Sequence, residues 1–218
     1  MYATICIPTY NRAKFSRLIE ENINQQDYPL IKEIIILDDG TEQIVIKTKY
    51  PVKYIKAEGR LSIGDKRNIL YNLTQTQYIA YMDDDDLYNP SYISNSIFNL
   101  IHSERSISGS SDMFILDKST RKIYSQRCMY LHLLNEATLV IDKKKLGDVE
   151  LFISGNSGEG RKLIEHIGEI VETDVEGIMI CIAHNSNTID KSKWLDEKAL
   201  YSNDILNIYK KQLFFIPS

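Results

Sequence analysis

The sequence predicts an α/β fold, with a mainly parallel central sheet flanked by helices and a smaller antiparallel region in its second half. Three observations predict it. Over the first hundred residues, short β-rich apolar runs alternate with stretches of helical periodicity, the pattern of strands joined by crossover helices. The second and fourth of these runs break off into carboxylates, Asp38 and Asp39 in one case and Asp83, Asp84, Asp85 and Asp86 in the other. Beyond residue 105 the apolar runs are short and separated by polar turns, as in antiparallel pairs.

Length and composition narrow the field. A chain of 218 residues can bury one sizeable core and is short for two, so a single domain over residues 1–218 is expected. A hydrophobic share of 43% with 26% charged residues is that of an ordinary soluble protein. A net charge of −4 argues against a surface that coats nucleic acid. No signal-peptide pattern and no apolar stretch of membrane-spanning length is present, which makes a soluble cytoplasmic protein without a transmembrane segment the expectation. Cys6 and Cys181 lie inside apolar runs and Cys128 stands apart, so buried free thiols are expected rather than a metal cluster or disulfide framework.

Taken in order, residues 2–8 form the first strand, ended by Pro8. Residues 13–26 place Phe15, Leu18, Ile19 and Ile23 near helical spacing. Residues 31–37 are a continuous β-rich run fit for a strand buried on both faces, and Gly40 permits the tight turn after it. Residues 52–57 form a third strand and residues 61–73 a helix that opens on Gly64, Asp65, Lys66, Arg67 and Asn68. Residues 78–82 form the fourth strand, and a helix follows from Asn89 and Pro90 to about His102.

The second half reads as a Ser/Gly-rich connection at 106–112, a hairpin of 113–116 with 123–130, and a strand at 138–141. A solvated basic face at Lys143, Lys144 and Lys145 comes next, then a loop at 155–160 feeding a helix to about Gly168. Late strands at 170–173 and 177–184, paired as a hairpin or standing separately, precede a helical tail from Trp194. Right-handed crossovers bring the ends of the first, second and fourth strands to one edge, so Pro8, Thr9 and Tyr10, Asp38 and Asp39, and Asp83 to Asp86 line one crevice. In an extended run, Asp83 and Asp85 would point to one side and could hold a hard divalent cation. The competing reading of the four aspartates is a solvated acidic turn that caps the next helix.

Four stretches in this order resemble the inverting family 2 glycosyltransferases of GT-A fold. They are Ile5 to Arg12, Ile34 to Gly40, Gly64 to Asn68, and Tyr81 to Pro90, the last similar to that family's DxD region. The resemblance implies a Rossmann-like GT-A domain, with residues 1–100 as the nucleotide-sugar-binding half and residues 101–218 as the acceptor-binding half. It also implies a nucleotide-diphosphate sugar, with UDP favoured and dTDP or GDP as alternatives, Mn2+ or Mg2+, and a glycan or glycoprotein acceptor. The length leaves open that this is one domain of a larger multidomain protein.

The resemblance then assigns roles. Pro8, Thr9 and Tyr10 would wall the nucleobase, since an aromatic face suits a flat ring, and Asp39 would accept from the uracil N3–H. Lys66 and Arg67, with Arg12 as a further candidate, would neutralise the diphosphate. Asp83 would meet ribose or metal, Asp85 the metal, and Asp86 the transferred sugar, with Asp84 facing away or capping the helix. His184 would complete the metal shell. Inversion needs a base for the acceptor hydroxyl. The family's late Glu-Asp pair matches Glu159 followed by Gly160, so Glu159 is the candidate, with Glu136 in reserve beside His132 and Asn135 as acceptor contacts. Two other classes compete. A sugar nucleotidylyltransferase would want glycine near the first strand, which Pro8 to Asn11 lacks. A non-catalytic GT-A-like binding module is suggested by Gly160 standing where an acid is expected.

Overall fold

The computed structural model describes residues 1–126, 133–185, 187, 191, 194–196 and 199–217. The first strands and helices are β1 (Ala3–Thr9), α1 (Ser16–Asn24), β2 (Ile31–Asp38), β3 (Val52–Lys56), α2 (Ile63–Leu73), β4 (Tyr78–Tyr81), β5 (Leu87–Tyr88) and α3 (Tyr92–Ser103). They are followed by β6 (Ile107–Gly109), β7 (Met113–Asp117), β8 (Ile123–Gln126), β9 (Val140–Asp142), α4 (Lys143–Leu146), β10 (Ile170–Glu172), β11 (Met179–Ala183) and β12 (Leu200–Tyr201).

Among the described residues, the large sheet runs β10-β6-β9-β4-β1-β2-β3 and the smaller one β12-β8-β7-β11-β5. In the large sheet only β9 runs against its neighbours, pairing antiparallel with β4 and β6. The smaller sheet is mostly antiparallel, with one parallel pair, β7 with β11. The sheet order reverses at β1: β2 and β3 lie on one side and β4 on the other. An open α/β sheet forms its ligand crevice at such a reversal, beyond the carboxyl ends of the strands.

The alternation of side chains along β1 and β2 builds two apolar layers. Ile5, Ile7, Ile34 and Ile36 pack with Phe15 and Leu18 on one face, while Cys6, Ile35 and Leu37 pack with Leu70 and Tyr71 on the other. The outer strand β3 is half-exposed and carries Lys53 and Lys56, charges that discourage edge-to-edge pairing. Cys6 and Cys181 are buried free thiols; burial pushes Cys6 up to about 12 despite the hydrogen bond with Thr74. Cys128 lies outside the described residues.

Several expectations change. Residues 106–112 are not merely a connection: they contain β6, whose Ser108 is buried and paired to β9 and β10. The late strands do not form a hairpin, because β10 joins the large sheet and β11 the smaller one. Lys143 is not simply solvated; its Nζ donates to the Tyr71 and Thr74 carbonyl oxygens at the end of α2, both at 2.9 Å. The stretch Glu159–Glu169 is 3₁₀ in character, and the tail forms 3₁₀ turns at Asn203–Asn207 and Gln212–Phe215 rather than an α-helix. Tertiary anchors decide the tail: Gln212 is buried and donates to the Tyr88 carbonyl oxygen at 3.0 Å. No helix among the described residues is long and apolar enough to cross a membrane.

Candidate active site

The ends of β1, β2 and β4 meet as expected. Thr9, the last residue of β1, donates its hydroxyl to Asp84 Oδ2 at 2.6 Å. Its carbonyl oxygen accepts from Lys66 Nζ at 2.9 Å, and the same ammonium donates to Asp39 Oδ1 at 2.8 Å. Asp39 also accepts from Arg60 at 2.6 Å and from the Leu61 N–H at 2.8 Å. Burial raises the Asp39 carboxyl, but the Lys66 and Leu61 hydrogen bonds outweigh it and hold the group below its usual range. Lys66 moves down, because burial disfavours its charge more than Asp39 restores it.

Helix α2 delivers these cations because its first turn is tightly specified. Ser62 caps it by accepting from the Asp65 N–H at 3.1 Å. Gly64 is pressed on the next segment, where a Cβ would run into the Ile153 carbonyl oxygen. Asn68 clasps Phe152 in both directions, donating at 2.7 Å and accepting at 3.1 Å. The Ile153 N–H in turn donates to the Glu159 carbonyl oxygen at 2.9 Å.

The four aspartates bend through a turn at residues 84–85 instead of running extended, so each meets different partners. Asp83 accepts from Arg67 at 2.9 Å and takes its backbone position from Tyr88, whose hydroxyl accepts the Asp83 N–H at 2.7 Å. Asp84 neither faces away nor caps a helix; besides Thr9 it meets Arg12 Nε at 3.4 Å. Asp85 Oδ2 lies 3.2 Å from Arg12 and 3.1 Å from His184 Nε2. Asp86 is 1% exposed, accepts from the Ile182 N–H at 2.8 Å and pairs with Lys191 at 3.2 Å. Burial and the neighbouring Asp85 charge raise Asp84 well above the usual carboxylate range. At Asp85 burial acts the same way, but the His184 hydrogen bond with the Lys191 and Arg12 charges brings it below.

Arg67 is 1% exposed and stands between Asp83 and Glu159, the latter at 3.5 Å; its Nη1 has no hydrogen-bond partner among the described residues. Glu159 is 5% exposed. Glu136 is half-buried, and its Oε1 accepts the Gly160 N–H at 2.8 Å. These groups line a cavity of about 900 Å³ that also has Pro8, Thr9, Tyr10 and all four aspartates in its wall. Asp39 is not in that wall; Arg60 and Lys66 cover it.

Sequence reasoning missed three residues. Arg60 lies 3.4 Å over the Tyr10 ring and joins it to Asp39. Asn187 accepts the His184 N–H at 2.7 Å and donates to the Ile182 carbonyl oxygen at 3.1 Å, holding the turn that aims His184, and reaches Asp85 at 3.4 Å. Lys191 is the counter-charge of the buried Asp86. Asn187 and Lys191 follow a strand end, a place where functional side chains gather; no local motif marks Lys191. Asn135 lies in the cavity wall, whereas His132 lies outside the described residues.

The model of the family described as "Glycosyl transferase family 2" matches residues 4–168. A protein described as "Uncharacterized glycosyltransferase" from Haemophilus influenzae is 28% identical over 89 residues, covering 40% of this chain and 30% of that protein. Among solved structures, S. aureus TarS 1–349 in complex with UDP-GlcNAc superposes with a TM-score of 0.69 at 14% identity, covering 99% of this chain and 66% of that one. A mannosyltransferase from Pyrobaculum calidifontis in complex with GDP-Man and Mn2+ gives 0.61 at 11% identity, covering 85% and 58%. The chain therefore spans less than two thirds of the length of these proteins. The structural likenesses establish the shared GT-A type of fold: a mainly parallel sheet with a smaller, mostly antiparallel one.

Proposed function

Taking as premise that the chain belongs to glycosyl transferase family 2, as the match over residues 4–168 shows, we propose that it moves a sugar from a nucleotide-diphosphate donor to a hydroxyl acceptor with inversion. The observation that carries this is the junction of β1 and β4, where Arg12, Lys66 and Arg67, each paired directly with a carboxylate, line one large cavity. Lys66 and Arg12 supply positive charge for the diphosphate. The Arg67 Nη1, buried and without a partner among the described residues, is a donor that a phosphate oxygen would satisfy.

Pro8, Thr9 and Tyr10 form the wall for the base, with Asp39 behind them holding Arg60 and Lys66 in place. UDP-sugars are the favoured donors, in keeping with the UDP-GlcNAc complex of TarS, while the GDP-Man complex keeps a guanine nucleotide open. Asp83 reaches ribose or metal, and Asp86 backs the sugar side. A glycan or glycoprotein is the acceptor.

The residues present fit a divalent cation. Asp85 Oδ2 and His184 Nε2 lie 3.1 Å apart, an oxygen and imidazole pair suited to Mn2+. Among the described residues no three His, Cys, Asp or Glu side chains form a cage, so diphosphate oxygens and water would complete the shell. Bound there, the cation would offset the charge that develops on the departing diphosphate. A carboxylate of the Glu136 and Glu159 pair takes the acceptor proton.

The test is thermal shift with UDP-glucose, UDP-N-acetylglucosamine, dTDP-glucose and GDP-mannose, with and without Mn2+, followed by release of the nucleoside diphosphate. Selective binding raises the midpoint. Failure of all four to bind would overturn the reading.

A further inference from the structure

Gly160 is a glycine because another side chain occupies its space. A Cβ there would lie 2.6 Å from Glu136 Oε1 and 2.8 Å from Glu136 Cγ, and the Gly160 N–H already donates to that Oε1 at 2.8 Å. The carboxylate thus comes to this point from the 3₁₀ turn Glu136–Thr138, itself capped by Asn135, whose side chain accepts the Ala137 N–H. The Ala137 carbonyl oxygen accepts from the hydroxyl of Tyr88, which also holds the Asp83 N–H. One aromatic side chain therefore ties the segment that carries Glu136 to the start of the aspartate run.

Glu136 and Glu159 differ in what they can reach. Glu159 is 5% exposed, and its carboxylate faces Arg67 Nε. Both line the cavity, but Glu136 is half-buried and forms no ion pair among the described residues. On this geometry, and resting on the transferase reading above, we propose that Glu136 is the catalytic base. Its carboxylate takes the proton of the acceptor hydroxyl as the acceptor oxygen bonds to the sugar C1, and the bond from C1 to the diphosphate oxygen breaks with its electron pair leaving on the diphosphate. Glu159 is a positioning residue that anchors Arg67.

The charged groups facing Glu136 are Glu159 and Arg67. Burial and then the Glu159 charge push it up to about 7, against the pull of Arg67. That value suits a base working near neutrality. Gly160 in this view is no sign of a silent, non-catalytic fold.

The experiment follows hydrolysis of UDP-glucose, UDP-N-acetylglucosamine, dTDP-glucose and GDP-mannose with Mn2+, water serving as acceptor, with nucleotide affinity measured alongside. Glu136→Gln is expected to lower kcat by about 100-fold or more while nucleotide affinity stays within about twofold. Glu159→Gln is expected to lower kcat less than Glu136→Gln does and to move the acid limb of the pH profile, near 7 in the wild type, to lower pH, because one repelling charge is gone. Gly160→Asp in a Glu136→Ala background sends a carboxylate to the same point from the other side, and is expected to recover turnover at least tenfold over Glu136→Ala. This pair keeps the test decisive should Glu136→Gln misfold. Wild-type kcat in Glu136→Gln, or a larger fall in kcat for Glu159→Gln than for Glu136→Gln, overturns the inference alone. A wild type that binds the donors and releases no nucleotide overturns the transferase reading and this inference with it.

Discussion

Asp85 has a carboxylate touched by Arg12, His184 and Asn187. Asp85→Asn keeps its shape and removes its charge. If the residue holds the cation, kcat should fall about 100-fold and the Mn2+ dependence of turnover should disappear; retained Mn2+ dependence would move the metal elsewhere. Glu136 carries a second consequence at this scale. Its folded-state pKa, about 7, lies above the ordinary 4.5, so the folded protein favours the protonated form. Its contribution to stability is therefore complete below the ordinary value and is lost as pH rises through 7. Glu136→Gln should raise Tm at pH 8 relative to wild type and leave it nearly unchanged at pH 5; equal shifts at both pH values would contradict this sign.

At the scale of elements, α2 matters most, because it carries Lys66 and Arg67 and holds the 152–159 segment through Asn68. Gly64→Ala drives a methyl group into the Ile153 carbonyl oxygen, and the helix and that segment must part. A loss of about 1–3 kcal/mol is expected in denaturant unfolding, together with weaker nucleotide binding, since both sides of the cavity shift.

Which elements were legible follows from how they are held. Strands β1 and β4 and the 34–37 stretch of β2 were plain because they are buried on both faces and rich in apolar, β-forming residues. Strand β6 was hidden because its sequence, Ile107-Ser108-Gly109, gets its strand character from neighbours far along the chain. The turn after β7 lacks glycine because Asp117 does the folding, accepting from the Ser119 N–H at 2.8 Å and the Thr120 hydroxyl at 2.7 Å, while Arg121 takes the left-handed conformation. Thr9, Tyr10, Lys66 and the aspartates could be read as site candidates because they sit at strand ends or helix starts. Lys191 could not, since only tertiary packing brings it to Asp86.

At the scale of the molecule, the two halves of the chain share one sheet. Strand β9, near residue 140, lies between β4 from the first half and β6 from the second. A fragment of residues 1–105 would leave the β4 edge bare, with Ile79 and Ala80 lacking their partners Ile141 and Val140. Such an edge recruits other chains, so the fragment should aggregate where the full chain is monodisperse in light scattering; a soluble, folded fragment would contradict this. The same strand order has a bearing on biosynthesis. A ribosome releases β1 to β4 well before β9, and at about 5–20 residues per second the sixty residues between them take several seconds. Throughout that interval the nascent chain carries an unfinished sheet, and it is then that a chaperone has most to shield.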